Sequence, residues 1–584
     1  MERNHSVSLC MIVKNEADCL GRCLESMKGL VDEIIIVDTG STDNTVEIAK
    51  QYGAVIKTYQ WNNDFSQARN YSLSLATKEW ILVLDADEYL RTEDTDLFIS
   101  AINNQAIDSY YIKTLNFTEA NKNESCMINL NHRLFKNNKG FHYISPIHEQ
   151  LVNEQPVTSL VSDIGFYHTG YLKEVVNAKK KPNRNSEILQ SILEKNPNDA
   201  FHQFNLANEM FQLGKYSEAI ELYDKAYTNS TSQQGYMPKL MIFRINALIA
   251  NHEDKKALMA ANEGLKHFPG FTHLMFLKGT IEEKLGLITK AIQSYNNCLK
   301  LGKPTAQLEF SSGSEALWPH LKLAALYDAY GDYEQAVYHY NKYLELNPSH
   351  YQILYAVAPC LKKLGFNDEV LSAYLEKYIP ANNINNQILL IDLLMKEQCY
   401  SVANTYLEKI EALEQSNQLV YLYAKNQFYL KNYDLSRTWF ETYLQQDSFE
   451  TISCYYYLMY LLTHDEAYGL EKLPYSIEFK TIHEHIQTEN KDSFSNVEWN
   501  VVIRLMEEML MLADETLIET FTHALTPVVD HQQLLQLSKI FSKHNRTQLA
   551  TEILKDYVLK GGEIDGEYTQ LLNAIQIDKL NEMD

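Results

Sequence analysis

The chain has 584 residues, 45% hydrophobic and 22% charged, the composition of a soluble globular protein long enough for several domains with separate cores. Its formal net charge of −24 would repel a phosphate backbone over most of the surface, so no nucleic-acid partner is expected. No apolar run is long enough to span a bilayer, MERNHSVSL lacks the apolar stretch of a secretion signal, and eight scattered cysteines form no disulfide framework; a cytoplasmic protein with no integral membrane segment is expected.

Residues 1–185 alternate strand-like and helix-like segments, the rhythm of an α/β sheet domain. VSLCMIV (Val7–Val13) and EIIIV (33–37) are short, β-branched and nearly continuous in apolar character, as buried parallel strands require. Leu20, Cys23, Leu24 and Met27 give a helical face between them, and Cys19 and Cys23 read as packing residues, since no second pair completes a zinc site. A strand at 54–58, a helix at 65–76 and a strand at 80–84 follow, with further strands at 110–115, 129–136 and 164–168. Asp64 is placed to cap the helix that follows it.

From about residue 186 the pattern changes to helices of similar length that repeat. Phe204–Tyr227 carries Gly214 at a helix break, then Tyr216, Ala219, Tyr223 and Ala226; Lys322–Pro348 repeats this with Gly331, Tyr333, Ala336, Tyr340 and Tyr343. Gly286 and Gly365 mark further breaks, and Gly331 and Gly365 stand about one tetratricopeptide period apart, roughly 34 residues. Residues 186–460 therefore read as an all-α solenoid of tetratricopeptide-like repeats, with degenerate copies near Tyr400 and Tyr433, and residues 461–584 as a helical C-terminal region. Packing between repeats accounts for most of the 39 tyrosines. HEHI (483–486) lacks the histidine spacing of a zinc peptidase and reads as a solvated helix face.

A parallel sheet binds ligands beyond the carboxyl ends of its strands, at the switch in strand order. Three polar clusters fall at such ends: Lys14-Asn15-Glu16, Asp38-Thr39-Gly40-Ser41-Thr42-Asp43, and Asp85-Ala86-Asp87-Glu88. No GxGxxG follows the first strand and no GxxxxGK[ST] is present, so neither a dinucleotide cofactor nor a P-loop is indicated. Carboxylates in that crevice suit a nucleotide, held at its ribose and base directly and at its diphosphate through Mg²⁺ or Mn²⁺. If Asp85-Ala86-Asp87 is extended, both aspartates face one side. Glu88 either tunes the site or faces water. The basic segment 172–186, with Lys173, Lys179, Lys180, Lys181 and Arg184, is either a solvated helix face or a phosphate-facing patch.

Taken together, SLCMIVKNEADCLGRCLESM, IIIVDTGSTDNT, NDFSQARN, WILVLDADEYL, HRLFKNNKGFHYISPIHEQ and FYHTGY resemble a family 2 glycosyltransferase with the GT-A (Rossmann-like) fold. The added repeats are similar to those of bacterial sublancin-type peptide S-glycosyltransferases. The resemblance covers about the first 185 residues closely and the solenoid loosely. It implies transfer of a sugar from a nucleotide-sugar, usually a UDP-sugar, with inversion, and a metal-bound DXD motif. Asp38 then corresponds to the nucleoside-binding aspartate, with Lys14 and Glu16 in the same pocket and Arg69 close to the nucleotide. Asp85 falls near the ribose or metal, and Asp87 is the expected metal ligand. His168 is either a further metal or diphosphate ligand or a hydrogen-bonded histidine at a strand end. Inverting transfer gains from a base that removes the acceptor proton opposite the departing diphosphate, and Glu149, beside His148, is the candidate. The alternative for His148 and Glu149 is that they orient the acceptor loop; Arg133 and Arg184-Asn185 are either packing or salt-bridge residues or phosphate contacts. The expected acceptor is a Cys or Ser side chain of a peptide or protein docked with help of the repeats. A cell-surface glycan or lipid acceptor is one alternative, and a non-catalytic sugar-nucleotide sensor on a repeat scaffold is another; a homo-oligomer is possible through the solenoid edge.

Overall fold

The structure is a computed structural model that describes residues 3–117, 126–168, 182–231, 234–380, 382–410, 416–444, 452–463, 476–488, 495–564 and 566–581. By its internal contacts the chain divides into two compact units, Met1–Asn347 and Pro348–Asp584.

The first unit opens with strands and helices that alternate where the hydrophobic pattern alternates: β1 (Val7–Val13), α1 (Ala17–Ser26), β2 (Glu33–Asp38), α2 (Thr45–Gln51), β3 (Val55–Thr58), α3 (Phe65–Ser74) and β4 (Trp80–Val83). Then come β5 (Glu88–Leu90), α4 (Thr95–Asn103), β6 (Ser109–Phe117), β7 (Cys126–Lys136), β8 (His142–Ile144), β9 (Gln150–Val152) and β10 (Ser159–His168). Eight strands form one mixed sheet in the order β3-β2-β1-β4-β7-β6-β10-β5, while β8 and β9 make a separate hairpin. β1 runs parallel to β2 and β4, and β3 parallel to β2. Strand order therefore reverses between β1 and β4, which creates a crevice at their carboxyl ends. β1 and β4 are buried on both faces, as their unbroken apolar character requires. One face packs α1 and α4 through Leu20, Leu24, Phe98 and Ile102; the other holds Cys10, Ile35, Val83 and Phe135 against the β8–β9 hairpin.

Paired helices follow within the same unit: Ala200–Gln212 with Tyr216–Thr228, Met237–Ala250 with Asp254–His267, Thr272–Lys284 with Ile288–Leu301, and Leu317–Ala329 with Tyr333–Leu346. The turn of each pair needs one residue with positive φ, supplied by Gly214, His252, Gly286 and Gly331. Small residues permit close approach inside a pair: a Cβ on Gly279 would stand 2.7 Å from the Tyr295 ring. The solenoid also joins the sheet directly. Ile128 N–H donates to Phe310 O at 2.8 Å, Met127 forms an antiparallel bridge to Ser311, and Lys113 Nζ reaches Glu309 at 2.8 Å.

The second unit continues the helix pairs: Leu354–Lys363 with Asp368–Tyr378, Ile384–Lys396 with Tyr400–Leu407, and Asn417–Tyr429 with Tyr433–Leu444. The degenerate copies keep the left-handed turn with Gln398 and Lys431 in place of glycine. Farther on, where the sequence shows only helices, His531–Lys543 and Thr547–Leu559 form another such pair, with Asn545 at φ +57° in the turn. Among the described residues, no helix is long and apolar enough to cross a membrane.

Candidate active site

Three clusters of side chains gather at the carboxyl ends of the strands beside the switch point. The first is built on the loops after β1 and β2. Asp38 ends β2 with only 6% exposure, and its carboxylate accepts the Gly40 and Ser41 amides at 3.2 Å. Asn15, at φ +54°, turns the chain after β1; its side-chain oxygen accepts Thr42 N–H at 2.7 Å, while Glu16 N–H donates to Thr45 Oγ1 at 2.8 Å. These bonds lace the two loops together and set Lys14 and Glu16 next to the Asp38 turn. Lys14 is exposed, and Glu16 accepts the Cys19 thiol at 3.3 Å.

The second cluster is a chain of ions in which Arg69 and Glu88 are buried and Asp85, Arg133 and Glu149 half-buried. Glu88 N–H donates to Asp85 O at 3.1 Å, so Asp85-Ala86-Asp87-Glu88 closes a tight turn between β4 and β5. The extended geometry expected for Asp85-Ala86-Asp87 is thus corrected: β5 pairs with β10 immediately afterwards, and the chain must reverse to reach it. Asp85 accepts Arg69 Nη2 on one oxygen at 2.8 Å and Arg133 Nη2 on the other at 2.9 Å. Arg133 Nη2 also donates to Glu88 at 2.9 Å, and the second Glu88 oxygen accepts Asp85 N–H at 2.9 Å. Arg69, from α3, uses Nε to hold Glu149. Burial works against a charged Asp85, yet the two guanidiniums hold its carboxyl well below the usual range. Glu88, 2% exposed, is displaced upward, because burial and the Asp85 charge outweigh the pull of Arg133. Glu88 therefore does not face water, and Arg133 is an ion-pairing residue.

The third cluster joins Asp87 to His168. The β5–β10 register sets His168 opposite Glu88, and His168 Nε2 lies 3.3 Å from Asp87 Oδ2. His168 Nδ1 lies 2.7 Å from Asn116 Oδ1, so Nδ1 carries a hydrogen and Nε2 is the nitrogen turned to Asp87. Burial lowers the affinity of His168 for a proton, but Asp87 more than reverses this and raises it.

Glu149 and His148 come from the loop between β8 and β9. Glu149 reaches the ion chain through Arg69, whereas His148 has an exposed side chain and a positive φ of 52°. Asp64 caps α3 through the Gln67 amide at 3.1 Å, as expected. Asn185 pairs with Glu209 at 3.3 Å. The Arg184 side chain and the lysines at 173 and 179–181 lie outside the described residues. Ion pairing was one of the readings of Arg133, but its partners Asp85 and Glu88 were not legible, because β7 meets β4 only through the sheet order.

Asp87 and His168 suit part of a divalent-cation site: a carboxylate and an imidazole nitrogen close together, with the second ring nitrogen fixed by Asn116, the usual support for a metal-binding histidine. Among the described residues no three His, Cys, Asp or Glu side chains are placed to hold one metal ion together, so remaining positions would fall to substrate oxygens and water.

The sheet order, the acidic turn at the switch point and the paired helices define a GT-A-like glycosyltransferase domain followed by tetratricopeptide repeats. Residues 8–148 match the family Glycosyl transferase family 2, and residues 272–301 and 320–350 match the Tetratricopeptide repeat family. A TPR repeat-containing protein of Synechococcus elongatus is 34% identical over 223 residues, 36% of this chain and 54% of that protein. The SPbeta prophage-derived glycosyltransferase SunS of Bacillus subtilis is 30% identical over 229 residues, 38% of this chain and 54% of SunS. An uncharacterized glycosyltransferase of Rickettsia typhi is 30% identical over 218 residues, 35% of this chain and 73% of that protein. The chain belongs to glycosyltransferase family 2. It spans about half the length of the first two of these relatives.

Proposed function

We propose that the chain is a metal-dependent inverting transferase that moves a sugar from a UDP-sugar to a Cys or Ser side chain of a peptide or protein. The observation that carries this reading is the meeting of three kinds of group at one switch point: the amide-bound carboxylate of Asp38, the Asp85–Glu88 turn, and Glu149 tied to that turn through Arg69.

Asp38 sits where a nucleoside would enter, and the exposed Lys14 beside it offers a positive charge to a phosphate. Asp87 and His168 would hold Mg²⁺ or Mn²⁺, whose bound charge offsets that of the departing diphosphate. Arg69 and Arg133 stay charged against Asp85 and Glu88, and they fix the turn so that Asp87 is presented without freedom to swing away. Glu149 accepts the acceptor proton, and its bond to Arg69 sets the direction from which it does so. With a thiol acceptor this step contributes less, because a thiolate forms readily near neutral pH. The tetratricopeptide half supports a peptide or protein acceptor, since stacked helix pairs build an extended surface of the kind that binds chains.

The test is UDP release from UDP-glucose, UDP-galactose and UDP-N-acetylglucosamine with MnCl₂, with and without cysteine- and serine-bearing peptides. Release is expected to need the cation, to stop on chelation, and to fall at least about 100-fold in Asp87→Ala. Release that is equally fast after chelation, or in Asp87→Ala, removes the metal-dependent reading.

A further inference from the structure

The loop that carries His148 and Glu149 is not held by the sheet domain alone. Two of its non-glycine residues adopt left-handed backbone, Ser145 at φ +78° and His148 at φ +52°. Such residues persist only where their surroundings over-determine them. On one side the restraint comes from α3 and the residues around it. Phe65 N–H donates to Pro146 O at 2.9 Å, and Asn70 binds the backbone N–H and C=O of Tyr143 at 2.7 and 2.8 Å. Arg69 holds Glu149 itself.

On the other side the restraint comes from the first solenoid helices. Ile147, 4% exposed, lies in one apolar cluster with Leu189 of the helix Pro182–Lys195 and with Phe204, Ala207 and Met210 of Ala200–Gln212. Ser145 Oγ lies 2.9 Å from His202 Nε2. His202 is buried in the first turn of Ala200–Gln212, and the N-cap Asp199 accepts its backbone N–H at 3.1 Å. Asp199 Oδ2 stands 2.9 Å from His202 Nδ1 but off the line of its N–H, so it acts on the ring as a nearby charge and not as a hydrogen-bond acceptor. That charge favours the proton on Nδ1, which leaves Nε2 to accept the Ser145 hydroxyl.

We propose that His202 is a positioning residue for Glu149: through Ser145, and with Ile147 seated among the solenoid helices, it fixes the acceptor side of the site. This rests on the reading of Glu149 as the proton acceptor. Glu149 is four residues beyond Ser145, and the intervening chain contains the strained His148. Release at Ser145 lets both left-handed residues relax and withdraws the carboxylate from its line. The first helix pair of the solenoid is, on this view, a working part of the transferase domain and not only a docking platform.

The test uses the full chain with His202→Leu, His202→Gln and Ser145→Ala. Hydrogen–deuterium exchange is followed for peptides covering residues 143–152, and UDP release is measured with the same UDP-sugars and MnCl₂. In His202→Leu and Ser145→Ala, loop exchange is expected to rise at least five-fold and UDP-release kcat to fall at least ten-fold, with donor KM within about two-fold. His202→Gln, which keeps an acceptor for the Ser145 hydroxyl, is expected to restore most of both. In a Glu149→Gln background, His202→Leu is expected to add no further loss, because it acts through that carboxylate. Unchanged loop exchange overturns the proposal, and so does a further multiplicative loss in the Glu149→Gln background. Wild-type UDP release by Glu149→Gln alone overturns the base reading together with the proposal. Wild-type protein that releases no UDP at all, with loop exchange still raised by His202→Leu, overturns the donor reading while the anchoring role stands.

Discussion

At the scale of single residues, the site is organised by what each carboxylate touches. Asp85 and Glu88 are bound by two arginines, Asp87 by a histidine, and Glu149 by Arg69, so the four acidic residues of one crevice repel one another less than they would alone, and the repulsion that remains shows in the raised pKa of Glu88. Buried ions of this kind are costly to break from one side, because the remaining partner keeps its charge and loses its neighbour. Arg133→Met leaves Glu88, 2% exposed, beside Asp85 with no guanidinium between them. It is expected to destabilise the first unit by about 3–5 kcal/mol. Arg133→Met combined with Glu88→Leu is expected to recover a good part of that loss, since the charge left behind is removed. Chemical denaturation followed by tryptophan fluorescence checks both, and equal stability of the single and double variants would show that the pair carries no buried penalty. The position of Asp38 and of Asp85–Glu88 at strand ends beside the switch point was legible from the sequence, because polar residues there directly follow continuous apolar runs. The partnership of Arg133 with Glu88 was not, because it depends on β7 lying next to β4 across the sheet, a non-local pairing that no spacing along the chain encodes.

At the scale of elements, the strands with long apolar runs were readable, whereas the three-residue strands β5, β8 and β9 and the ends of the solenoid were not. The apolar runs at β1, β2 and β4 fixed those strands to within a residue, since a strand buried on both faces leaves a pattern that needs no partner to interpret. The repeats were found through glycine at the helix-pair turn, and they faded where glycine did. The turn itself persists: Gln398, Lys431 and Asn545 hold φ of 60°, 64° and 57° in pairs that have lost the glycine. The physical requirement is a left-handed residue, and glycine is only its cheapest solution. Two substitutions test this in opposite directions. Lys431→Gly is expected to stabilise its unit by about 0.5–1 kcal/mol, and Gly331→Ala, at φ +78° with open space around the new methyl, to destabilise by about 1 kcal/mol. Thermal unfolding of the full chain reads both as shifts of opposite sign. If Lys431→Gly lowers the melting point, the lysine side chain contributes more than the backbone strain it imposes.

At the scale of the whole molecule, the first compact unit extends well past the change in sequence pattern near residue 185. The sheet and the first four helix pairs share one compact unit that ends at Asn347. Three kinds of contact tie them: the backbone pairing of Ile128 and Met127 with Phe310 and Ser311, the Lys113–Glu309 ion pair, and Ile147 within the apolar cluster of the first solenoid helices. A fragment cut after residue 185 exposes Ile147 and Phe65 and leaves the β7 amide of Ile128 without its acceptor. Exposed apolar groups and unpaired strand edges of this kind favour association between chains. A fragment of residues 1–347 keeps all of these contacts and breaks the chain between a helix end and Pro348, where the two units meet in sequence. The expected outcome is that residues 1–347 fold cooperatively and bind UDP as the full chain does, whereas residues 1–185 aggregate or remain largely unfolded. Circular dichroism on thermal unfolding and calorimetric UDP titration of the two fragments decide it. A stable, UDP-binding 1–185 fragment would mean that the solenoid contacts add nothing to the folding of the sheet domain, and that the helices after residue 185 serve the acceptor alone.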